Sequence, residues 1–365
     1  MAQHEQILAL GLMSGTSCDG VDAALVATDG LRRLSCGEAI TLAYPEAFRQ
    51  RLREAMVSRE APPAVVEELT RRHADAVAEL LSRAGRRADE VRVVGFHGQT
   101  LLHEPEKRRT WQIGDGALLA RLTGIDTVSD FRSADVAAGG QGAPFAPLFH
   151  RALAESHGEP LPRPLAVLNV GGVANVTWIG IGEDELIAFD TGPGNALIDD
   201  WAMRHLGRPV DEDGRLAAAG RVDERALEAL LDDEYFMRPA PKSLDRDAFD
   251  PAPLEDLSPA DGAATLVAFT AATVGRGLEI LPEPPRAWLV TGGGRRNPVL
   301  MEALHRRLGV PVSSVDSLGW DGDGLEAQAF AYLAVRSLSG LPLSLPTTTG
   351  VPQPLTGGRL DRAVG

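Results

Sequence analysis

Lysine is nearly absent. Only Lys107 and Lys242 occur in 365 residues, and 36 basic side chains face 51 acidic ones, for a net charge of −15. Nucleic acids and anionic membrane surfaces require a basic face, so neither is expected as a partner. The pair Gly-Lys never occurs, which excludes a Walker A phosphate loop. Two cysteines, Cys18 and Cys36, make neither a disulfide framework nor a four-ligand zinc site. No apolar run reaches the length of a transmembrane helix. The segment Met1–Ile7 has no basic stretch leading into an apolar one, so it does not read as a secretory signal. The expectation is a soluble cytoplasmic protein of two domains.

Glycine is what the chain has in excess, 39 residues, roughly 11% against an average of about 7%. Residues 6–13 and 21–28 read as strands, and between them lies Ser14-Gly15-Thr16-Ser17-Cys18-Asp19-Gly20. Strand, polar glycine turn, strand is a hairpin signal; a dinucleotide fingerprint would run from strand to helix. Helices are expected at about 45–58 and 62–84, and a short strand at 91–95 leads into Phe96-His97-Gly98-Gln99-Thr100. A strand at 125–129 ends in Asp130-Phe131-Arg132. The loop Gly139-Gly140-Gln141-Gly142-Ala143-Pro144 then opens a helix near 145–156.

The proline-rich stretch 156–164 reads as a linker, and after it the opening pattern returns. Strand 164–170, turn Gly171-Gly172-Val173-Ala174-Asn175 and strand 176–181 repeat strand, glycine turn, strand. Strand 186–189 ends in Asp190-Thr191-Gly192-Pro193-Gly194-Asn195. Helices follow at about 195–206, 223–231 and 261–278. Strand 287–290 ends in Thr291-Gly292-Gly293-Gly294, and a last helix covers about 324–338. A period near 160 residues is too long for a solenoid. It suits two similar α/β domains, 1–155 and 156–365, with the C-terminal end able to pack back on the first.

Tight turns of glycine and hydroxyl residues expose backbone N–H groups that form anion-binding nests. Two such turns could hold a polyphosphate, with Mg²⁺ meeting the charge that a P-loop lysine meets elsewhere. Asp190, at the mouth of an apolar strand, can act as a base or as an Asx turn or helix cap. Asp130 and Asp135 are rival carboxylates, and Asp19 and Asp22 read as metal partners or turn residues. His97 and Gln99 offer an imidazole and an amide at a strand end. Arg132 suits a substrate carboxylate or a surface ion pair.

Taken together, these motifs resemble the 1,6-anhydro-N-acetylmuramic acid kinase family over nearly the whole chain. The segments that carry the resemblance are Gly11–Asp22, Phe96–Thr100, Asp130–Arg132, Asp135–Pro144, Leu168–Thr177, Phe189–Asn195, Thr291–Gly294 with Asn297, and Leu325–Ala331. The resemblance implies two related actin-like ATPase domains, ribonuclease H-like in plan, around a nucleotide cleft. It implies that ATP is bound by Gly15, Thr16, Ser17, Cys18, Asp19, Gly20, Val21, Asp22, Gly171, Gly172, Asn175, Gly292, Gly293, Gly294 and Asn297. It places the sugar at His97, Gln99, Asp130, Arg132, Gly140 and Gln141, and makes Asp190 the catalytic base.

The implied phosphotransferase reaction opens the anhydro bridge with water, phosphorylates O6 from ATP with Mg²⁺, and serves peptidoglycan recycling. An ordinary hydroxyl kinase on the same fold is the alternative. The metal ligands are not assignable, and a homodimer is one oligomeric option. The sequence departs from the family at Cys18, a position more often hydrophobic, and at Leu244-Asp245, where Thr-Gly is more frequent after Pro-Lys-Ser.

Overall fold

The computed structural model describes residues 5–15, 17–182, 185–246 and 248–363. The chain divides into two compact units: Met1–Pro160 with Gly324–Gly365, and Leu161–Asp323. The first crossing falls in the proline-rich stretch read as a linker. The last 42 residues group with the first unit, so the second unit ends well before the chain does.

In the first unit, strands β1 (Ile7–Ser14), β2 (Gly20–Thr28), β3 (Leu34–Ala43), β4 (Val93–Glu104), β5 (Arg109–Ile113) and β6 (Thr127–Ser129) form a mixed sheet with the strand Arg359–Asp361. The order runs from that last strand through β6, β4, β1 and β2 to β3, with β5 attached to β4. β1, β2 and β3 form an antiparallel meander, while β4 lies parallel to β1 and β6 parallel to β4.

The second unit holds β7 (Leu165–Val170), β8 (Val173–Ile179), β9 (Leu186–Pro193), β10 (Ala287–Thr291) and β11 (Val312–Ser314) in the order β11-β10-β7-β8-β9. Here too the first three strands are an antiparallel meander, and the last two run parallel to the first. One five-strand plan is therefore used twice, which gives the repeated strand–turn–strand opening its structural meaning.

β1 and β4 are buried almost throughout, as expected of parallel strands covered on both faces. Helix Leu325–Leu338 lies on one face and buries nearly its whole circumference, the pattern of a core helix. Gly11 and Gly95 stand opposite each other in β1 and β4. A Cβ at either position would run into the helix backbone, at the Ala327 and Phe330 carbonyl oxygens respectively. Leu10, Leu12, Leu69, Val77, Leu80 and Phe96 contribute to the core of this unit. Phe189, Phe269 and Trp288 contribute to that of the second.

Elements not expected from the sequence include β3, β5, β11, the strand Arg359–Asp361, helix Pro298–Leu308 and the short helices Ser133–Ala137, Arg215–Ala218 and Pro346–Thr349. β3 is an edge strand with mostly exposed or half-buried residues, so it lacks the apolar run or alternation that marks a strand. β9 also extends further than expected. It continues to Pro193, so Asp190 sits inside the strand rather than at its end. Among the described residues no helix is long and apolar enough to cross a membrane.

Candidate functional site

The hairpin between β1 and β2 turns on a backbone hydrogen bond from Cys18 N–H to Gly15 C=O (3.1 Å). Cys18 adopts a positive φ of 53° and buries its side chain completely. Its thiol lies 3.1 Å from Met56 Sδ, and burial pushes its pKa up to about 11. What the loop offers at this position is main chain, and the side chain is an anchor. Arg49 Nε donates to the Cys18 carbonyl (3.1 Å) and Tyr44 N–H to the Asp19 carbonyl (2.9 Å). Ser17 Oγ donates to Asp19 Oδ1 (2.8 Å), and Thr41 Oγ1 to Asp22 Oδ1 (2.6 Å). Thr16 lies outside the described residues. Gly20 and Val21 open β2 and are buried.

Behind the loop, Ser14 Oγ donates to Gln99 Oε1 (2.7 Å) and Tyr44 OH donates to Ser14 Oγ (3.0 Å). All three side chains are buried. Gln99 therefore braces the end of β1 from β4. His97 is likewise buried. Its Nδ1 lies 2.8 Å from the Gly98 carbonyl, and Arg132 Nε donates to its Nε2 (3.0 Å). That bond requires Nε2 to be the acceptor, hence a neutral ring with its proton on Nδ1. Burial, with Arg132 beside it, holds the His97 pKa well below the usual value.

Arg132 also donates through Nη1 to the Gly142 carbonyl (2.5 Å) and lies over the Phe145 ring. The glycine-rich loop is held from within by Asp135. Its Oδ1 accepts from Gly142 N–H (2.7 Å) and its Oδ2 from Thr349 Oγ1 (2.6 Å). Gln141 N–H donates to the Thr349 carbonyl (2.6 Å). Gly140 fits because a Cβ there would strike the Asp135 carboxylate. Asp135, a rival for the catalytic carboxylate, thus has both oxygens occupied by structure. The other rival, Asp130, is exposed, at a positive φ of 55°.

In the second unit, β7 and β8 are joined by Gly171 and Gly172 alone. The Gly171 carbonyl accepts from Asn195 N–H (2.7 Å) and that of Gly172 from Gly194 N–H (2.9 Å). A Cβ on Gly171 or Gly172 would meet nothing closer than 3.7 Å. Glycine weakens the native state by entropy, and here no packing among the described residues requires it. Gly194 is the opposite case, since a Cβ there would strike the Gly171 carbonyl.

Asp190 stands across from Asn175 in the β8–β9 ladder and is only 7% exposed. Its Oδ2 accepts from Leu244 N–H (2.8 Å), its N–H donates to the Lys242 carbonyl (2.9 Å), and its carbonyl accepts from Tyr235 OH (2.6 Å). Leu244, Lys242 and Tyr235 stand 45 to 54 positions away, and no local motif points to them.

The turn after β10 is fixed by Gly292, at φ 74° against the Asn169 side chain, and by Gly294, where a Cβ would lie 2.6 Å from Val170 Cβ. Gly293 is open, and a Cβ there would stand 3.6 Å from Asn195 Nδ2. Asn297 caps helix Pro298–Leu308, its Oδ1 accepting from the N–H groups of Val299 and Leu300. Arg295 locks the same turn. It pairs with Asp316 and Asp323 and donates to the Gly292 carbonyl.

Among the described residues no group of three or more His, Cys, Asp and Glu side chains is arranged to hold a metal ion. The structure thus brings together His97 with Arg132, Ser14 with Gln99, Asp190 with Asn175, and Gly171 and Gly172 with the 194–195 turn.

A family model described as anhydro-N-acetylmuramic acid kinase matches residues 7–361. Three curated relatives carry that same description. The one from Rhodospirillum rubrum is 59% identical over 96% of this chain and 93% of its own length. Those from Acidiphilium cryptum and Paramagnetospirillum magneticum are each 56% identical, covering 97% of this chain and 98% and 99% of their own. Among solved structures, the activator of the 2-hydroxyisocaproyl-CoA dehydratase from Clostridium difficile with bound ADPNP is similar at a TM-score of 0.46. It shows 12% identity and covers 92% of this chain and 96% of that one.

Proposed function

Because the chain belongs to the anhydro-N-acetylmuramic acid kinase family, we propose that it phosphorylates this amino sugar from ATP with Asp190 as the base. The observation that carries the assignment is Asp190 itself, buried within β9, with its backbone N–H and carbonyl bonded to Lys242 and Tyr235 and one carboxylate oxygen held by Leu244 N–H. A base must be aimed before the substrate arrives, and these hydrogen bonds aim it.

The substrate carries an ether bridge between C1 and C6 and has no free 6-hydroxyl. Asp190 takes a proton from a water molecule as that water attacks C1. The C1–O6 bond breaks, and O6 attacks the γ-phosphorus of ATP. The bond to the bridging oxygen breaks and ADP leaves, giving N-acetylmuramic acid 6-phosphate; Asp190 returns its proton to solvent. The loop Gly15–Asp22 and the turn Gly171-Gly172 with Asn175 suit the phosphates, through backbone N–H groups. The Gly292-Gly293-Gly294 turn suits the nucleoside end.

Arg132, steered by a neutral His97, suits the lactyl carboxylate, and Gly140 and Gln141 suit the sugar rim. Mg²⁺ requires few protein ligands when phosphate oxygens are present. Bound through those oxygens, Mg²⁺ would supply neutralising charge to the transferring group. A role in cytoplasmic peptidoglycan recycling, and a homodimer, belong to this same reading.

Turnover in ¹⁸O-labelled water tests it. The expected product has a new reducing end labelled at C1, an unlabelled O6, and phosphate on O6. A phosphorylated sugar that keeps its anhydro bridge would establish the ordinary hydroxyl kinase instead.

A further inference from the structure

β9 is the edge strand of its sheet, and an edge leaves backbone groups to be covered. Around Asp190 the covering segment is 235–244. Asp190 N–H donates to the Lys242 carbonyl (2.9 Å). Lys242 Nζ donates to the Tyr235 carbonyl (2.9 Å), and Tyr235 OH donates to the Asp190 carbonyl (2.6 Å). These three bonds close a ring, and Leu244 N–H adds a fourth bond to Asp190 Oδ2 (2.8 Å).

Lys242 is one of only two lysines in the chain and is 7% exposed. Its Nζ lies 4.4 Å from the centre of the Tyr235 ring, a cation–π contact that is stronger where water is excluded. Burying an ammonium is unfavourable. Among the described residues it serves no surface ion pair, and its field reaches the Asp190 carboxylate.

We propose that Lys242 is a positioning residue for the reaction, keeping the Asp190 carboxylate ionised by its charge and aimed by its link through Tyr235. This rests on Asp190 being the base. The groups that face Lys242 are the Tyr235 ring and carbonyl, the Arg238 guanidinium and the Asp190 carboxylate. Burial first, then Arg238, bring its pKa down to about 8, while Asp190 opposes the fall. The cation is therefore present below pH 8 and lost above it, and kcat should decline on the alkaline side as Lys242 deprotonates.

The test is the pH profile of kcat for the whole protein carrying Lys242→Met, which keeps the apolar stem and removes the charge. The expected result is kcat lower by about 10²-fold with KM for ATP unchanged. The acid limb should move up by roughly one unit, because a carboxylate that loses a nearby cation is protonated more readily. The alkaline limb near 8 should vanish. Lys242→Arg should restore the acid limb and carry no alkaline limb, since its guanidinium does not titrate.

Tyr235→Phe keeps the ring and removes the bond to the Asp190 carbonyl. It should lower kcat while leaving both limbs in place, and it carries the test if Lys242→Met fails to fold. A Lys242→Met profile matching wild type, or a Tyr235→Phe kcat matching wild type, overturns the proposal. Asp190→Asn is measured alongside. If Asp190→Asn is dead and Lys242→Met is like wild type, only the positioning role fails; if Asp190→Asn is active, the base assignment itself fails.

Discussion

The β1–β2 hairpin uses residues 15–19 to turn, whereas the β7–β8 hairpin uses Gly171 and Gly172 alone. Both occupy the same place in the same five-strand plan. The longer loop is stiffened by its own side chains and its neighbours. Cys18 is sunk into the core, Arg49 holds the Cys18 carbonyl, and Tyr44 holds that of Asp19. The shorter turn has no side chains and is tied down through its carbonyls to the 194–195 turn. The same contrast separates two buried carboxylates. Asp135 in the first unit gives both oxygens to loop structure, while Asp190 in the second is held mainly through its backbone. The same strand plan thus carries a braced loop in one unit and, in the other, a turn of two glycines and a buried carboxylate.

The largest effect should come from breaking that contrast at the carboxylates. Asp190→Asn should lower kcat by about 10²–10⁴-fold, the range of a general base, with ATP affinity nearly retained. Asp135→Asn should instead loosen the 139–142 loop and act on stability and on KM for the sugar. Steady-state kinetics with a separate ATP-binding titration distinguishes the two. An active Asp190→Asn would pass the role of base to another carboxylate, with Asp130 first in line.

Next comes a pair of glycine substitutions. At Gly20 an added Cβ would lie 2.6 Å from the Leu42 carbonyl oxygen, which must shift. Gly20→Ala should therefore destabilise by about 1–3 kcal/mol, as overpacking does, and lower the melting temperature. Gly172→Val meets no such wall, so its melting temperature should hold. Its isopropyl group would occupy the space above the turn and reduce kcat/KM for ATP by about 10²-fold, comparable to losing a backbone donor to a developing charge. Equal melting losses in the two variants would remove the contrast between a packed and an open glycine.

The repeated hairpin openings are visible in the sequence because glycine and hydroxyl residues between apolar runs are a local signal. Asp190 stands out for the same reason, at the head of Asp190-Thr191-Gly192-Pro193-Gly194. The glycine excess has two sources that the sequence alone does not separate. Gly20, Gly140, Gly192, Gly194, Gly292 and Gly294 would clash with their own chain if given a Cβ, so packing explains them, whereas a Cβ at Gly15, Gly171, Gly172 or Gly293 would meet nothing closer than 3.5 Å. Gly11 and Gly95 carry no local signal at all, because they serve a helix more than 230 residues further on in sequence. The Lys242–Tyr235 ring is hidden by the same kind of distance. Side chains that meet only through tertiary folding leave no period or spacing to read, and β3, exposed along an edge, leaves no apolar pattern.

The smallest effect concerns acid, and it also sets one unit against the other. His73, His97 and His150 are buried in the first unit, while His205 and His305 in the second are exposed. Burial lowers the pKa of His73 to about 4 and that of His150 to about 3, and lowers that of His97 too. Each folded value lies below the unfolded one of 6.5. The unfolded state therefore binds more protons, and stability present above pH 6.5 is lost as pH falls toward the folded values. Hydrogen exchange between pH 7 and 5 should then show protection falling first in β1, β4 and helix Pro63–Arg83, with β7–β9 following later. Simultaneous loss in both units would show that the buried histidines do not set the acid sensitivity.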